Sequence, residues 1–181
     1  MVATLIEKHS AQVEWRPFYL RPDTPPEGME LPDYVRARAA QSQGRLKQMA
    51  NAYGLEMVFA TRIPNTRIAH ESTEYARQKG KGFEFHHAVF DKFYGKGEDV
   101  SKWNVLRDAA LQVGLDADEM QSEVEAGRYT ATVNGLVKHA SQIGVTGVPT
   151  YVLNDHYAIV GAQPYEAFLR AFKQIEADKN T

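Results

Sequence analysis

The stretch IGVTGVPTYVLNDHYAIVGAQP, residues 143–164, decides how this chain folds. Pro149 to Leu153 are mostly β-branched, aromatic or aliphatic, the pattern of a strand, and Asn154-Asp155 supplies a turn. Tyr157 to Val160 reads as the returning strand, so the segment predicts a β-hairpin. Gly161-Ala162-Gln163 then leads into a helix with Pro164 at its first position, where a missing N–H costs nothing. Tyr165, Phe168, Leu169, Phe172 and Ile175 recur at helical spacing and form that helix's apolar face. Upstream, Val133, Leu136, Val137 and Ala140 stripe a helix that ends near Gly144.

Moving outward, residues 33–143 read as mostly helical. Asn65 is placed to cap a helix through Lys79, with Pro64 just outside it. Gly80-Lys81-Gly82 is a helix break. Val100-Ser101 opens another helix, with Asn104 and Val105 placed to complete a cap and staple, and Asp116 with Glu119, flanked by Leu115 and Met120, repeats that pattern more fully. Before this helical region, RPDTPPEGMELPD (residues 21–33) carries four prolines and a glycine and reads as an irregular loop. Val13-Glu14-Trp15-Arg16-Pro17-Phe18 alternates apolar and polar residues as a strand does, with Pro17 placing it at an edge or ending it. Val2, Leu5, Ile6 and His9 share one face of a short N-terminal helix. The order is strand, long helical region, β-hairpin, helix.

Composition narrows the functional classes. The 181 residues suit one domain, and 43% hydrophobic with 24% charged residues is an ordinary globular balance. A formal net charge of −2 offers no electrostatic reason to expect nucleic acid or an anionic membrane. No run approaches the roughly 18–20 apolar residues of a membrane span, and Glu7, Lys8 and His9 interrupt the opening where a signal peptide needs an apolar core. The expected location is the cytoplasm. The cysteine count is zero, which removes disulfides, thiolate nucleophiles and cysteine-ligated metals together. His86 and His87 are neighbours and point about 100° apart on a helix, a poor chelate. His70 and Glu74 are spaced i, i+4, but no third ligand is evident, so a solvated pair is the reading and no metal is expected. No HExxH, P-loop, GxGxxG or Ser-His-Asp order occurs.

Four stretches together resemble the DsbA-like thioredoxin-fold family, in the branch typified by FrnE and by 2-hydroxychromene-2-carboxylate isomerases. They are VEWRPFYLRPDTPPEG, IPNTRIAH, the hairpin segment, and the helical region with its GLDADEM turn. The resemblance covers about residues 3–172, and the WRPF…PDTPPEG and VPTYV…YAIVGAQP wording is closer to the FrnE-like members. It implies an α/β thioredoxin-like fold of DsbA type, one domain over 1–181. Thioredoxin-like parts at about 1–32 and 144–177 would flank a helical insert at about 33–143. Family members begin with a strand and Cys-Pro-Trp-Cys, or a serine-containing variant. Here the expectation is that neither the first strand nor the active-site turn lies within the chain, leaving no catalytic residue.

From spacing alone Pro149 is a trans proline that opens a strand; the resemblance implies a cis Val148–Pro149 bond instead. Val148, Pro149 and Thr150 would then form a substrate-binding loop, with the Val148 main chain offered to an extended peptide or to glutathione. Trp15 and Phe18 read equally as groove-lining residues or as an ordinary half-buried strand. Asn65 reads as a helix cap, or as a ligand contact by the resemblance. The implied partners are an extended peptide or unfolded protein, with glutathione in the isomerase-like alternative and no other cofactor. If the first strand is missing, a homodimer that fills the sheet is a further expectation.

Overall fold

In the computed structural model, which describes residues 2–178, the helical region, the hairpin and the last helix follow in the expected order with more interruptions. They are α1 (Val2–His9), β1 (Met29–Glu30), α2 (Asp33–Ala52), β2 (Arg62–Ile63), α3 (Arg67–Gln78) and α4 (Gly82–Phe90). A π-helical turn (Asp91–Gly95) precedes α5 (Trp103–Gln112), α6 (Ala117–Glu125), α7 (Thr130–Gln142), β3 (Thr150–Leu153), β4 (Tyr157–Val160) and α8 (Tyr165–Asp178). The chain divides into two compact units: residues 1–20 with 136–181, and residues 21–135. No helix among the described residues is long and apolar enough to cross a membrane.

The unit of residues 21–135 is built on α3, α4, α5 and α6, whose apolar faces meet in a core around Tyr75, Phe85, Leu106 and Met120. Local chemistry sets the helix ends. Asp116 caps α6 by accepting from the Asp118 and Glu119 N–H groups at 3.0 and 2.9 Å. Leu115 and Met120 on either side are buried as the staple requires. Only half of the capping box forms, because Glu119 turns outward to accept from the Tyr75 hydroxyl at 2.7 Å and from Lys79 at 2.8 Å. The expected cap at Ser101–Asn104 is displaced: α5 starts at Trp103, and Asp99 takes both the N–H and the hydroxyl of Ser101 at 2.9 and 2.7 Å. Gly80-Lys81-Gly82 separates α3 from α4 as read. A β-carbon at Gly82 would stand 3.1 Å from the Arg77 Cα.

The stretch expected as a plain loop contains β1, which pairs antiparallel with β2 through Met29↔Ile63 and Glu30↔Arg62. Gly28 makes this possible, with φ of +77° and a carbonyl oxygen of Ile63 only 2.7 Å from where a β-carbon would sit. Two carboxylates of α3 are buried in this unit. Glu71 accepts two bonds from Arg67 (3.0 and 2.9 Å) and one from the Thr130 hydroxyl at 3.0 Å. Glu74 pairs with Arg77 at 2.7 Å. Lys92 in the π-helical turn is buried as well, its ammonium held by Asp108.

The other unit is organised by the hairpin. Its register is Thr150↔Val160, Tyr151↔Ile159, Val152↔Ala158 and Leu153↔Tyr157. Asn154 and Asp155 take φ of 49° and 60° in the loop, the left-handed region these residues tolerate best. Alternation then aims Tyr151 at α8, where its ring meets Phe168 edge-on at 4.9 Å. Of the expected apolar face of α8, Phe168 and Ile175 are buried, and Tyr165, Leu169 and Phe172 are half-buried. Pro164 lies one residue ahead of the helix and accepts from the Ala167 N–H at 3.0 Å. Leu5 of α1 is buried, whereas Ile6 is exposed, so the expected face is narrower than read. His9 closes α1 onto α8, with Nε2 2.6 Å from the Tyr165 hydroxyl.

The strand expected at Val13–Phe18 does not form: no ladder includes these residues. Pro17 brings no N–H to a ladder, and Glu14 and Arg16 pair with each other at 2.6 Å on the exposed side. The segment runs without regular structure while keeping Pro17 buried and Trp15 and Phe18 half-buried.

Candidate polypeptide-binding loop

The loop before β3 is shaped by residues with distinct local duties. The Val148–Pro149 bond is cis. Thr150 donates its hydroxyl to the Gly147 carbonyl at 2.7 Å, which ties the two ends of the Gly147–Thr150 loop together. The Gly161 N–H donates to the Pro149 carbonyl at 2.8 Å, anchoring the loop to the far end of the hairpin. Gly161 can do so at φ of +82° because it carries no β-carbon. Gln163 folds back as a cap, its side-chain amide donating to the Val160 carbonyl at 3.0 Å.

The result is a loop fixed at both ends with an apolar side chain facing outward at its crest. Val148 is 56% exposed, although valine ordinarily prefers the interior. Such a loop presents backbone and an aliphatic contact, and it presents no acid, base or nucleophile. Of the residues read from the sequence, Val148, Pro149 and Thr150 form one continuous element, and Trp15 and Phe18 belong to the same compact unit. Asn65 belongs to the other unit. Its side-chain oxygen accepts from the Arg67 N–H at 3.0 Å, and its amide nitrogen donates to the Thr24 carbonyl at 2.7 Å. Helix α3 starts at Arg67, one residue later than an Asn65 cap requires, and the Asn65 side chain instead forms a short turn and ties down the Pro-rich loop. Gly147 belongs to the loop motif read from the sequence, whereas Gly161 reads there only as leading into the last helix, and nothing local signals its bond to Pro149.

The chain matches the DSBA-like thioredoxin domain family over residues 1–173. It belongs to that family. The protein YwbO of Bacillus subtilis (strain 168) is 29% identical over 177 residues, covering 96% of this chain and 87% of YwbO. The crystal structure of SCO1869, a probable DsbA oxidoreductase from Streptomyces coelicolor, is similar with a TM-score of 0.85 and 25% identity. That likeness covers 96% of this chain and 79% of the other. A 2-hydroxychromene-2-carboxylate isomerase shares the fold at a TM-score of 0.80 and 16% identity, over 99% of this chain and 88% of that one. The chain thus has a DsbA-like thioredoxin fold in which helices predominate and the sheets are small.

Outside the loop, the titratable groups of the described residues are held in local pairs and buried positions. Glu74, read as half of an i, i+4 pair with His70, is engaged by Arg77 at 2.7 Å. Burial holds the His70 imidazole down to about 4. Burial, together with repulsion from His87 and His70, does the same to His86, also to about 4. Both are therefore neutral near pH 7. Among the described residues no group of three or more His, Asp or Glu is arranged to hold a metal ion. The Tyr75 and Tyr129 phenols are pushed upward by burial and by hydrogen bonds to Glu119 and Glu123, so neither serves as an acid near neutrality.

Proposed function

We propose that these 181 residues are a FrnE-like domain of the thiol–disulfide oxidoreductase type that holds extended polypeptide but performs no redox step itself. Thiol–disulfide exchange proceeds by attack of a thiolate on a disulfide sulfur, and a second thiol must resolve the mixed disulfide. With a cysteine count of zero and methionine thioethers as the only sulfur, neither event has an atom to occur on. What supports the binding half of the reading is the exposed Val148 at the crest of a loop pinned by Thr150 and Gly161. A fixed backbone with free polar groups pays little ordering cost when an extended chain docks on it. Trp15 and Phe18, half-buried in the same unit, are the proposed apolar contacts beside it. The SCO1869 likeness supports the oxidoreductase side of the family over the isomerase side, where the likeness is one of fold alone.

The test uses the pure chain. It should fail to reduce insulin disulfides or to oxidise a dithiol peptide, with or without glutathione. It should also slow aggregation of a cysteine-free unfolding client. Redox turnover would overturn the first half, and a client whose aggregation is unaffected would overturn the second. Glutathione-dependent isomerisation of a hydroxychromene carboxylate would instead establish the isomerase reading.

A further inference from the structure

The residues of the loop before β3 are not restrained equally. Val148 is β-branched and precedes a proline, and the two together favour an extended backbone there. Pro149 has φ fixed by its ring, and its carbonyl accepts from the Gly161 N–H at 2.8 Å. Thr150 stands in the ladder, opposite Val160. Gly147 has no such restraint, and a β-carbon built on it would meet nothing within 4 Å.

Upstream, the Val145 N–H donates to the Ala140 carbonyl at 2.9 Å and closes the end of α7. Between that bond and Pro149, the only hydrogen bond among the described residues is the one from the Thr150 hydroxyl to the Gly147 carbonyl at 2.7 Å. Glycine loses more conformational freedom on ordering than any other residue. A loop whose free joint is a glycine moves as far as Val148 unless something closes it. The Thr150 hydroxyl closes it, through a local side-chain-to-backbone ring of the kind threonine forms at turns.

We infer that Thr150 is a positioning residue for polypeptide binding: its bond to Gly147 orders the Val148 main chain before a segment arrives, and the hydroxyl does not touch that segment. This rests on the polypeptide-binding reading and adds the residue that sets its affinity. An ordered loop binds more tightly because less freedom is lost on docking. One hydrogen bond of this kind shifts an equilibrium by about fivefold, which is the size of the effect expected.

NMR titration of the full chain with acetyl-(Val-Thr)3-amide reads both the affinity and the mobility of each loop amide. Thr150→Val keeps the shape and the strand preference and removes the donor. It should weaken binding about fivefold and loosen the Gly147 and Val148 amides, with the melting temperature unchanged. Thr150→Ser keeps the hydroxyl and should bind within about twofold of the parent. Adding Gly147→Ala to Thr150→Val should recover most of the lost affinity, because alanine has room there and less freedom to lose. Gly147→Ala alone should bind at least as tightly as the parent, a test that holds even if Thr150→Val folds poorly. Equal binding by the parent and Thr150→Val would overturn the positioning role and leave the binding loop standing. So would weaker binding by Gly147→Ala alone. A loss that Gly147→Ala does not relieve, with Val148 no more mobile, would show that the hydroxyl meets the peptide directly and would overturn the role as well. A parent chain that binds no peptide would overturn both readings.

Discussion

Ser72 lies wholly inside the helical unit, and its hydroxyl has no hydrogen-bond partner among the described residues. A buried hydroxyl without a partner retains its desolvation cost and returns nothing for it. Ser72→Ala should therefore raise stability by about 0.5–1 kcal/mol in a denaturant titration, the better helix propensity of alanine adding to the effect. A loss of stability would reveal a partner for Ser72. One position earlier the balance reverses. Glu71 is as deeply buried but accepts bonds from Arg67 and Thr130, so Glu71→Ala removes a satisfied charge and abandons both donors. A loss of about 2–3 kcal/mol is expected, below the usual figure for a buried pair because Arg67 is half exposed. Glu71→Gln, which keeps an acceptor for Thr130, should lose clearly less.

At the scale of the element, stability rests on a few turn and cap residues. Asp116 satisfies two otherwise orphaned N–H groups at the start of α6, and Asp116→Ala should cost about 1 kcal/mol. Asp116→Asn or Asp116→Ser should restore most of it, which separates capping from a general effect of the site. In the hairpin, Asp155 at φ of 60° is in a region that β-branched residues avoid. Asp155→Val should destabilise the unit by about 1–2 kcal/mol, while Asp155→Gly should be neutral or better. Equal effects of the two would mean that the Asp155 side chain, and not its backbone, holds the turn.

For the whole molecule, pH is the informative variable. The ordinary histidine value is 6.5, and burial holds His70 to about 4, so between these values the unfolded chain binds the proton more readily than the folded one. Stability is then full above about pH 6.5 and declines as pH falls towards 4. His86, lowered for the same first reason, acts in the same direction. The decline from His70 is on the order of 2 kcal/mol, and melting curves of His70→Leu should be flatter across that window. A variant that follows the parent chain through the window would show that His70 titrates normally.

The sequence by itself determined the hairpin, the helix after it, the Asp116 cap and the Gly80–Gly82 break, because each depends on contacts within a few residues. It determined as well that no disulfide chemistry occurs on these residues, since that needs an element the chain does not contain. Tertiary structure alone decided the rest. Val13–Phe18 has the alternation of a strand, but a strand exists only when another backbone lies beside it, and alternation cannot say whether one does. Asn65 keeps the local bond its cap-like position suggests, its oxygen accepting from the Arg67 N–H, but the second bond, from its amide to the Thr24 carbonyl, joins segments far apart in sequence and only the fold brings them together. The β1–β2 pairing was invisible for the same reason: two residues on each side carry too little pattern, and their partnership is a property of how a proline-rich turn is brought back to the chain some thirty residues on.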